Sequence, residues 1–252
     1  MSIQGYNNSM NTHLTPFSAL TPDIILTALD SVGLHSDGRL LALNSYENRV
    51  YQVGIENAAA VVTKFYRPNR WTTAAILEEH SFIQELAENE IPVVPPLRLK
   101  ENITLNHIDG FRFSVFPSQS GRVPEIDGRE KLEWMGRFIA RIHAIGALKP
   151  FKERPVLNIT NFGDEPRDYL LKHNLMDLFG AYSSVKAHVL ESLSRCFELV
   201  GKVKNLRLHG DCYPGNILWT DDTDPISLIL MTAVWGRQYR ICGCCFQVTV
   251  PR

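Results

Sequence analysis

The chain has 252 residues, 44% of them hydrophobic and 21% charged, a balance that suits one large domain or two lobes around a buried core. Twenty-six basic residues against 27 acidic ones leave a formal charge of −1, which argues against a nucleic-acid or membrane-surface binder. No apolar run is long enough to span a bilayer, and the polar start "MSIQGYNNSMNTHLT" lacks the apolar stretch of a secretory signal, so a cytoplasmic protein is expected.

Residues 1–15 read as a disordered lead-in. Residues 22–33 read as a short helix closed by Gly33. Strand-like segments follow at 39–43, 48–55 and 59–66, rich in Val, Tyr and Phe and separated by turn residues. Residues 72–90 read as a helix, with Thr72 or Thr73 as its cap and Ile91-Pro92 as its end. The run "VVPP" and the segment 102–116 predict two more strands. A polar stretch at 118–128 fits a hinge. From residue 129 the pattern turns helical, with Leu132, Met135, Ile139 and Ile142 on one face, and helices are expected through 164–200. Composition thus divides the chain near residue 118, into a strand-rich part (16–118) and a helical part (119–226).

The chemistry concentrates at "LHGDCYPGNILW", residues 208–219. An acid, Asp211, is followed five residues later by Asn216. This is the spacing of the protein-kinase catalytic loop, where the Asp accepts the proton of the substrate hydroxyl and the Asn holds Mg²⁺. Phosphoryl transfer needs a carboxylate beside the attacking oxygen and an oxygen ligand for the metal, both on a rigid loop. Leu206, Leu208, Ile217, Leu218 and Trp219 are apolar flanks that can anchor such a loop, and His209 stands where it can brace it. The competing reading is a polar turn capping a helix.

Lys64 lies in the apolar strand "VVTKFY". In the next helix, Ile76, Phe82, Ile83 and Leu86 form one stripe with Glu79 near its centre, while Glu78 falls off it. An acid on an apolar stripe is costly unless paired, and Lys64 is the partner expected for it. The competing readings are an edge-exposed Lys and a Glu snorkelling at the edge of the stripe. Between the first two strands, "LNSYENRVYQV" has no glycine pattern. Asn44, Ser45 and Asn48 could still form a turn whose N–H groups, or the Ser45 hydroxyl, face phosphates. An ordinary hairpin is the alternative. Five cysteines, at 196, 212, 242, 244 and 245, are odd in number and crowded at one end, unlike a disulfide framework. The "CGCC" cluster does not have paired metal-ligand spacing.

Together, "LNSYENRVYQV", "KFYRPNRW", "ILEEH", "FRFSVFPSQSGR" and "LRLHGDCYPGNILW" closely resemble the bacterial stress response kinase A family, Ser/Thr protein kinases of the aminoglycoside-phosphotransferase-like superfamily. The resemblance runs from about residue 35 to about residue 229. It implies an α+β, two-lobed, protein-kinase-like fold whose helical C-terminal lobe is incomplete here. It implies ATP and Mg²⁺ as cofactors and a protein substrate; a monomer is expected, and charge and hydropathy already argue against nucleic-acid and membrane partners. By resemblance Asp211 is the catalytic base, Asn216 a Mg²⁺ ligand, Lys64 the lysine on the ATP phosphates, Glu79 that lysine's partner, and Ser45 part of the ATP-contacting loop. Two rival functions share the motif: a small-molecule phosphotransferase acting on an aminoglycoside, choline or homoserine, and a nucleotide-binding pseudokinase.

The resemblance stops where the family has a strand ending in Asp-Leu-Asp-Asp, whose first Asp holds Mg²⁺. This chain continues "PISLILMTAVWGRQYRICGCCFQVTVPR", with no acid after Asp224. The genetic code offers an account. In the alternative reading frame, Met231-Thr232 forces an Asp codon and Trp235-Gly236 forces a Gly codon. With synonymous choices, the run from Ser227 can restore I-D-L-D-D and a later D-L-W. Residues 227–252 are therefore expected to be out-of-frame sequence. On that view "CGCC" is an accident of translation, the chain has impaired activity, and the face holding Leu132, Met135, Ile139 and Ile142 lies uncovered.

Overall fold

A computed structural model describes residues 16–125, 128–172, 179–201, 204–212, 214–220, 226–228 and 233–237. Two compact units emerge from the packing: residues up to 71 together with 97–118, and residues 72–96 together with 119 onward.

The first unit begins with helix α1 (Pro22–Ser31). The Thr21 hydroxyl accepts the N–H of Ile24, and Pro22 opens the first turn, where its missing N–H costs nothing. Strands β1 (Ser36–Leu43), β2 (Arg49–Ile55), β3 (Ala58–Tyr66), β4 (Asn106–Ile108) and β5 (Phe111–Pro117) form one antiparallel sheet in the order β1-β2-β3-β5-β4. Alternate residues of the sheet, including Val53, Phe65, Phe113 and Val115, pack with Ile25 and Leu29 of α1 into one core. Phe65 and Phe113 stack with centroids 5.5 Å apart.

Two expectations change here. "VVPP" forms no strand, only an isolated bridge at Val93. Pro95 and Pro96 lack the N–H groups a ladder requires. The segment 102–116 is not a single strand either. Asp109 (φ 45°) and Gly110 (φ 79°) fold it into the β4–β5 hairpin, because an Asp-Gly pair tolerates the left-handed conformation that a two-residue turn demands.

The second unit contains α2 (Thr73–Glu88), α3 (Arg129–Gly146), a π-helical turn at Thr160–Asp164, α4 (Glu165–Lys172) and α5 (Phe179–Val200). Its strands are β6 (Asn205–His209), β7 (Ile217–Trp219), β8 (Ile226–Leu228) and β9 (Ala233–Arg237). They form two antiparallel pairs, β6 with β9 and β7 with β8. Thr72 caps α2, its hydroxyl accepting from Ala75 N–H at 3.0 Å.

Although α2 precedes the predicted boundary in sequence, its stripe of Phe82, Ile83 and Leu86 packs into the second unit's core. That core also holds Met135, Phe138, Ile139, Ile142, Leu206, Leu208 and Ile217. The expectation of an open α3 face is therefore wrong. Met135, Ile139 and Ile142 are buried against α2 and the short strands, and only Leu132, 36% exposed, looks outward.

Of the stretch 227–252, most lies outside the described residues, "CGCC" included. Among the described residues, neither Cys196 nor Cys212 is joined in a disulfide. No described helix is long and apolar enough to cross a membrane.

Candidate active site

Strand β6 carries the sequence into the site. Leu206 and Leu208 are buried, and so is His209, at 2% exposure. The chain then turns. The N–H of Asp211 donates to His209 Nδ1 at 3.1 Å, so the neutral ring carries its proton on Nε2. His209 thus braces the loop as its position suggested. Asn216, at the end of a 3₁₀ turn, closes it from the other side. Its Nδ2 donates to the Asp211 main-chain carbonyl at 2.8 Å and to the Asp211 carboxylate at 3.1 Å. Cys212 and Ile217 are buried beneath the loop, and Asp211 itself is exposed. Apolar anchors therefore hold both ends of a turn whose carboxylate faces outward.

Asn216 uses its amide nitrogen internally, so its Oδ1, a hard oxygen near the Asp211 carboxylate, is the atom that would hold a magnesium ion. Among the described residues, no group of three His, Cys, Asp or Glu side chains is clustered for a metal. Residues 229–232, which come after β8, lie outside the described residues.

β7 is held by the segment after residue 118. Arg122 and Trp219 exchange two main-chain bonds, at 3.0 and 2.7 Å. A Cβ on Gly121 would meet the Leu218 side chain at 2.8 Å, so only glycine lets the two segments approach this closely.

Lys64 is not on an edge. β3 is the central strand, and Lys64 sits across from Val50 on one side and Ser114 on the other. It is 3% exposed, with its ammonium 4.8 Å from the centroid of the Tyr66 ring. A lysine in such a place keeps its charge only by satisfying it locally.

Ser45 is half-buried in the β1–β2 loop. Glu47 ties that loop down, accepting from Trp71 Nε1 at 2.7 Å and from Arg70 Nε at 3.2 Å. Asn48, expected in the phosphate-facing turn, is buried, and its side-chain oxygen accepts the N–H of Arg67 at 3.2 Å. Sequence reading missed Glu47. The signal was available only as an acid in a loop otherwise lacking charge on its N-terminal side.

Glu79 is 2% exposed, as an acid on an apolar stripe must be if paired, and it is not snorkelling. Within its own unit the partner is one that sequence reading did not consider: Arg154 Nη2 lies 3.0 Å from Glu79 Oε2. The same oxygen accepts the N–H of Ala233 at 3.1 Å, while Arg154 Nε donates to the Ala233 carbonyl at 2.7 Å. The ion pair thus grips both main-chain groups of the first residue of β9, whatever its side chain. Glu78, off the stripe, accepts the main-chain N–H groups of Lys152, Glu153 and Arg154 at 2.7, 2.8 and 2.9 Å.

Residues 39–230 match the phosphotransferase enzyme family, and the chain belongs to it. Stress response kinase A of Escherichia coli K12 is 41% identical over 220 residues, which cover 84% of this chain and 64% of that protein. The serine/threonine protein kinase RdoA of Salmonella typhimurium LT2 is 39% identical over 214 residues, with the same coverage. This chain therefore spans 64% of the length of these relatives.

Among solved structures, an aminopropanol kinase associated with a microcompartment superposes with a TM-score of 0.71 at 17% identity, covering 88% of this chain and 73% of that one. Amicoumacin kinase hAmiN, solved with AMP-PNP, Ca²⁺ and amicoumacin, gives 0.70 at 16% identity, covering 90% and 69%. At such identities the likeness establishes the α+β phosphotransferase fold alone.

Proposed function

We propose that the chain is an ATP- and Mg²⁺-dependent kinase that transfers the γ-phosphoryl group to Ser/Thr hydroxyls of proteins in a bacterial stress response. The observation that carries this reading is the braced turn from His209 to Asn216, which presents the Asp211 carboxylate outward on a rigid base. Similarity at 39–41% identity to two proteins named as stress response and Ser/Thr kinases supports the protein substrate.

On this reading Asp211 accepts the proton of the attacking hydroxyl and aligns its oxygen with the γ-phosphorus. Asn216 Oδ1 would hold Mg²⁺, which, when bound, neutralises charge on the phosphates. Lys64 holds the phosphates, Glu79 is partner to Lys64 while its Oε2 keeps β9 in place, and Ser45 contributes to the loop over the nucleotide. On the same reading the protein is a cytoplasmic monomer. Residues 227–252 are out-of-frame sequence, and activity is reduced because the second, negatively charged metal ligand of the family would be missing.

The test is transfer of radiolabelled γ-phosphate by the purified chain, offered model proteins in one arm and aminoglycosides, choline and homoserine in the other. Labelling of protein Ser/Thr that disappears in Asp211→Asn, with nucleotide binding retained, is expected. Labelling confined to a small molecule would move the chain to the small-molecule phosphotransferases. Nucleotide binding with no transfer, even after frame restoration, would make it a pseudokinase.

A further inference from the structure

We propose that Arg207, clasped by Glu85, is a positioning residue for Asp211: the pair sets the depth and register of β6, the strand that delivers the catalytic carboxylate. The inference rests on the reading of Asp211 as the base.

Arg207 has 2% of its side chain exposed. Its guanidinium forms a fork on the Glu85 carboxylate, Nη1 at 2.7 Å and Nη2 at 3.1 Å. Nη2 also donates to the Ile145 carbonyl near the end of α3, at 2.8 Å. The planar group lies 4.5 Å from the Phe82 ring centroid and 5.8 Å from that of Phe151. Lys149 Nζ is a second cation on the same carboxylate, 2.9 Å from Glu85. One side chain of β6 is thus bound to α2 and to α3 at once. On the main-chain side, a Cβ at Gly146 would collide with the Arg207 carbonyl oxygen, so α3 rests directly on the β6 backbone at this residue.

Stability does not explain such a group. Desolvating a guanidinium and a carboxylate roughly cancels their attraction, and apolar residues of similar volume serve a core as well or better. What an apolar pair cannot supply is direction. A fork on a carboxylate, with a third bond to a carbonyl, fixes the strand in all three dimensions.

The placement matters because β6 runs directly into the loop that holds Asp211. Leu208 is fully buried, His209 accepts the Asp211 N–H, and Asp211 is the base. Residues 206–209 are buried on both faces of β6, so a slip by one residue would exchange the sides of Arg207 and Leu208 and carry His209 and Asp211 with them. Neither Arg207 nor Glu85 belongs to the set that touches substrate or nucleotide in the proposed reaction.

The test compares the full chain with two variants, Arg207→Met/Glu85→Leu and Arg207→Lys. The readouts are amide hydrogen exchange at Asp211, thermal midpoint, and kcat and KM for transfer. The apolar double variant is expected to keep its thermal midpoint while exchange at the Asp211 amide rises about tenfold or more. Its kcat should fall by about tenfold or more, with KM for ATP changed less than about threefold. Arg207→Lys, which keeps the charge without the fork, should fall between.

A folded double variant with unchanged Asp211 exchange and unchanged kcat overturns the proposal. Should the double variant not fold, unchanged exchange in Arg207→Lys overturns it equally. An inactive wild type would refute the kinase reading, and the exchange measurements would still decide the positioning role.

Discussion

Asn216 holds Asp211 twice, through the main-chain carbonyl at 2.8 Å and the carboxylate at 3.1 Å, with a single amide nitrogen. The five-residue spacing between acid and amide is therefore a closure as well as a pair of functional groups. Replacing Asn216 by Ala removes the closure and the expected metal ligand together. Transfer should fall by about a hundredfold or more, in the range of losing one electrostatic contact to the transition state. Asn216→Asp restores an oxygen ligand but not the N–H donor. Steady-state kinetics at saturating Mg²⁺ should place it between Ala and wild type, and equal activities of all three would remove Asn216 from the site.

Glu47 secures the β1–β2 loop through Trp71 and Arg70. Glu47→Ala should lower stability by about 1 kcal/mol, the usual worth of one or two partly exposed hydrogen bonds. If Ser45 and its neighbours contact the nucleotide, the same change should weaken ATP binding several-fold. Calorimetric titration with a non-hydrolysable ATP analogue checks this, and unaltered affinity would detach the loop from nucleotide binding.

Acid should unfold the second unit in two stages. Burial pushes the Glu85 carboxyl up, but Arg207 and Lys149 outweigh it, and its pKa lies below the ordinary 4.5. Its stabilisation is complete above that ordinary value and is lost as pH falls through the lower, folded one. Burial alone holds the His143 pKa below 6.5, and its Nε2 has no hydrogen-bond partner among the described residues. The unfolded chain takes up that proton first, so stability begins to decline as pH falls below 6.5. Denaturant titrations from about pH 7 to about pH 3 should show His143→Gln flattening the upper part of the decline and Glu85→Gln the lower. A profile that neither variant alters would contradict both assignments.

The covering of α3 gives a sharp contrast. Ile142 is 1% exposed and Leu132 36% exposed on the same helix. Ile142→Ala should cost about 2–5 kcal/mol through lost burial and the cavity left behind. Leu132→Ala should cost about 0.5 kcal/mol or less, as a surface change. Equal costs by chemical denaturation would mean that the face is not packed as described.

The reading frame from residue 227 can be tested directly. A version carrying the alternative-frame sequence should transfer phosphate faster than the chain as written, since a charged metal ligand is typically worth several kcal/mol of barrier. Its soluble yield is a separate question, because the α3 face is already covered in the chain as written. Equal transfer rates would sink the frame argument.

Local pattern carried much of this molecule. The spacing of Phe82, Ile83 and Leu86 places α2, a capping Thr at 72 or 73 is readable, and Asp211 with Asn216 stands out in a run of apolar flanks. These are short-range properties: helical periodicity, an N-cap, and a turn closed over a few residues. The destinations of the side chains were not readable, because partners distant in the chain are chosen by packing. Glu79 shows this best. Its place on an apolar stripe required a cation, but the stripe could not say that Arg154, far along the chain, would reach Oε2, or that the pair would close on the main chain of Ala233. The same holds for Glu85 and Arg207, 122 residues apart, and for the α3 face, whose covering by β6 and β7 depends on strands that come much later in the chain. Burial of a charge can be inferred from periodicity, because the cost of leaving it unpaired is local. Its partner is decided only when the core closes around both.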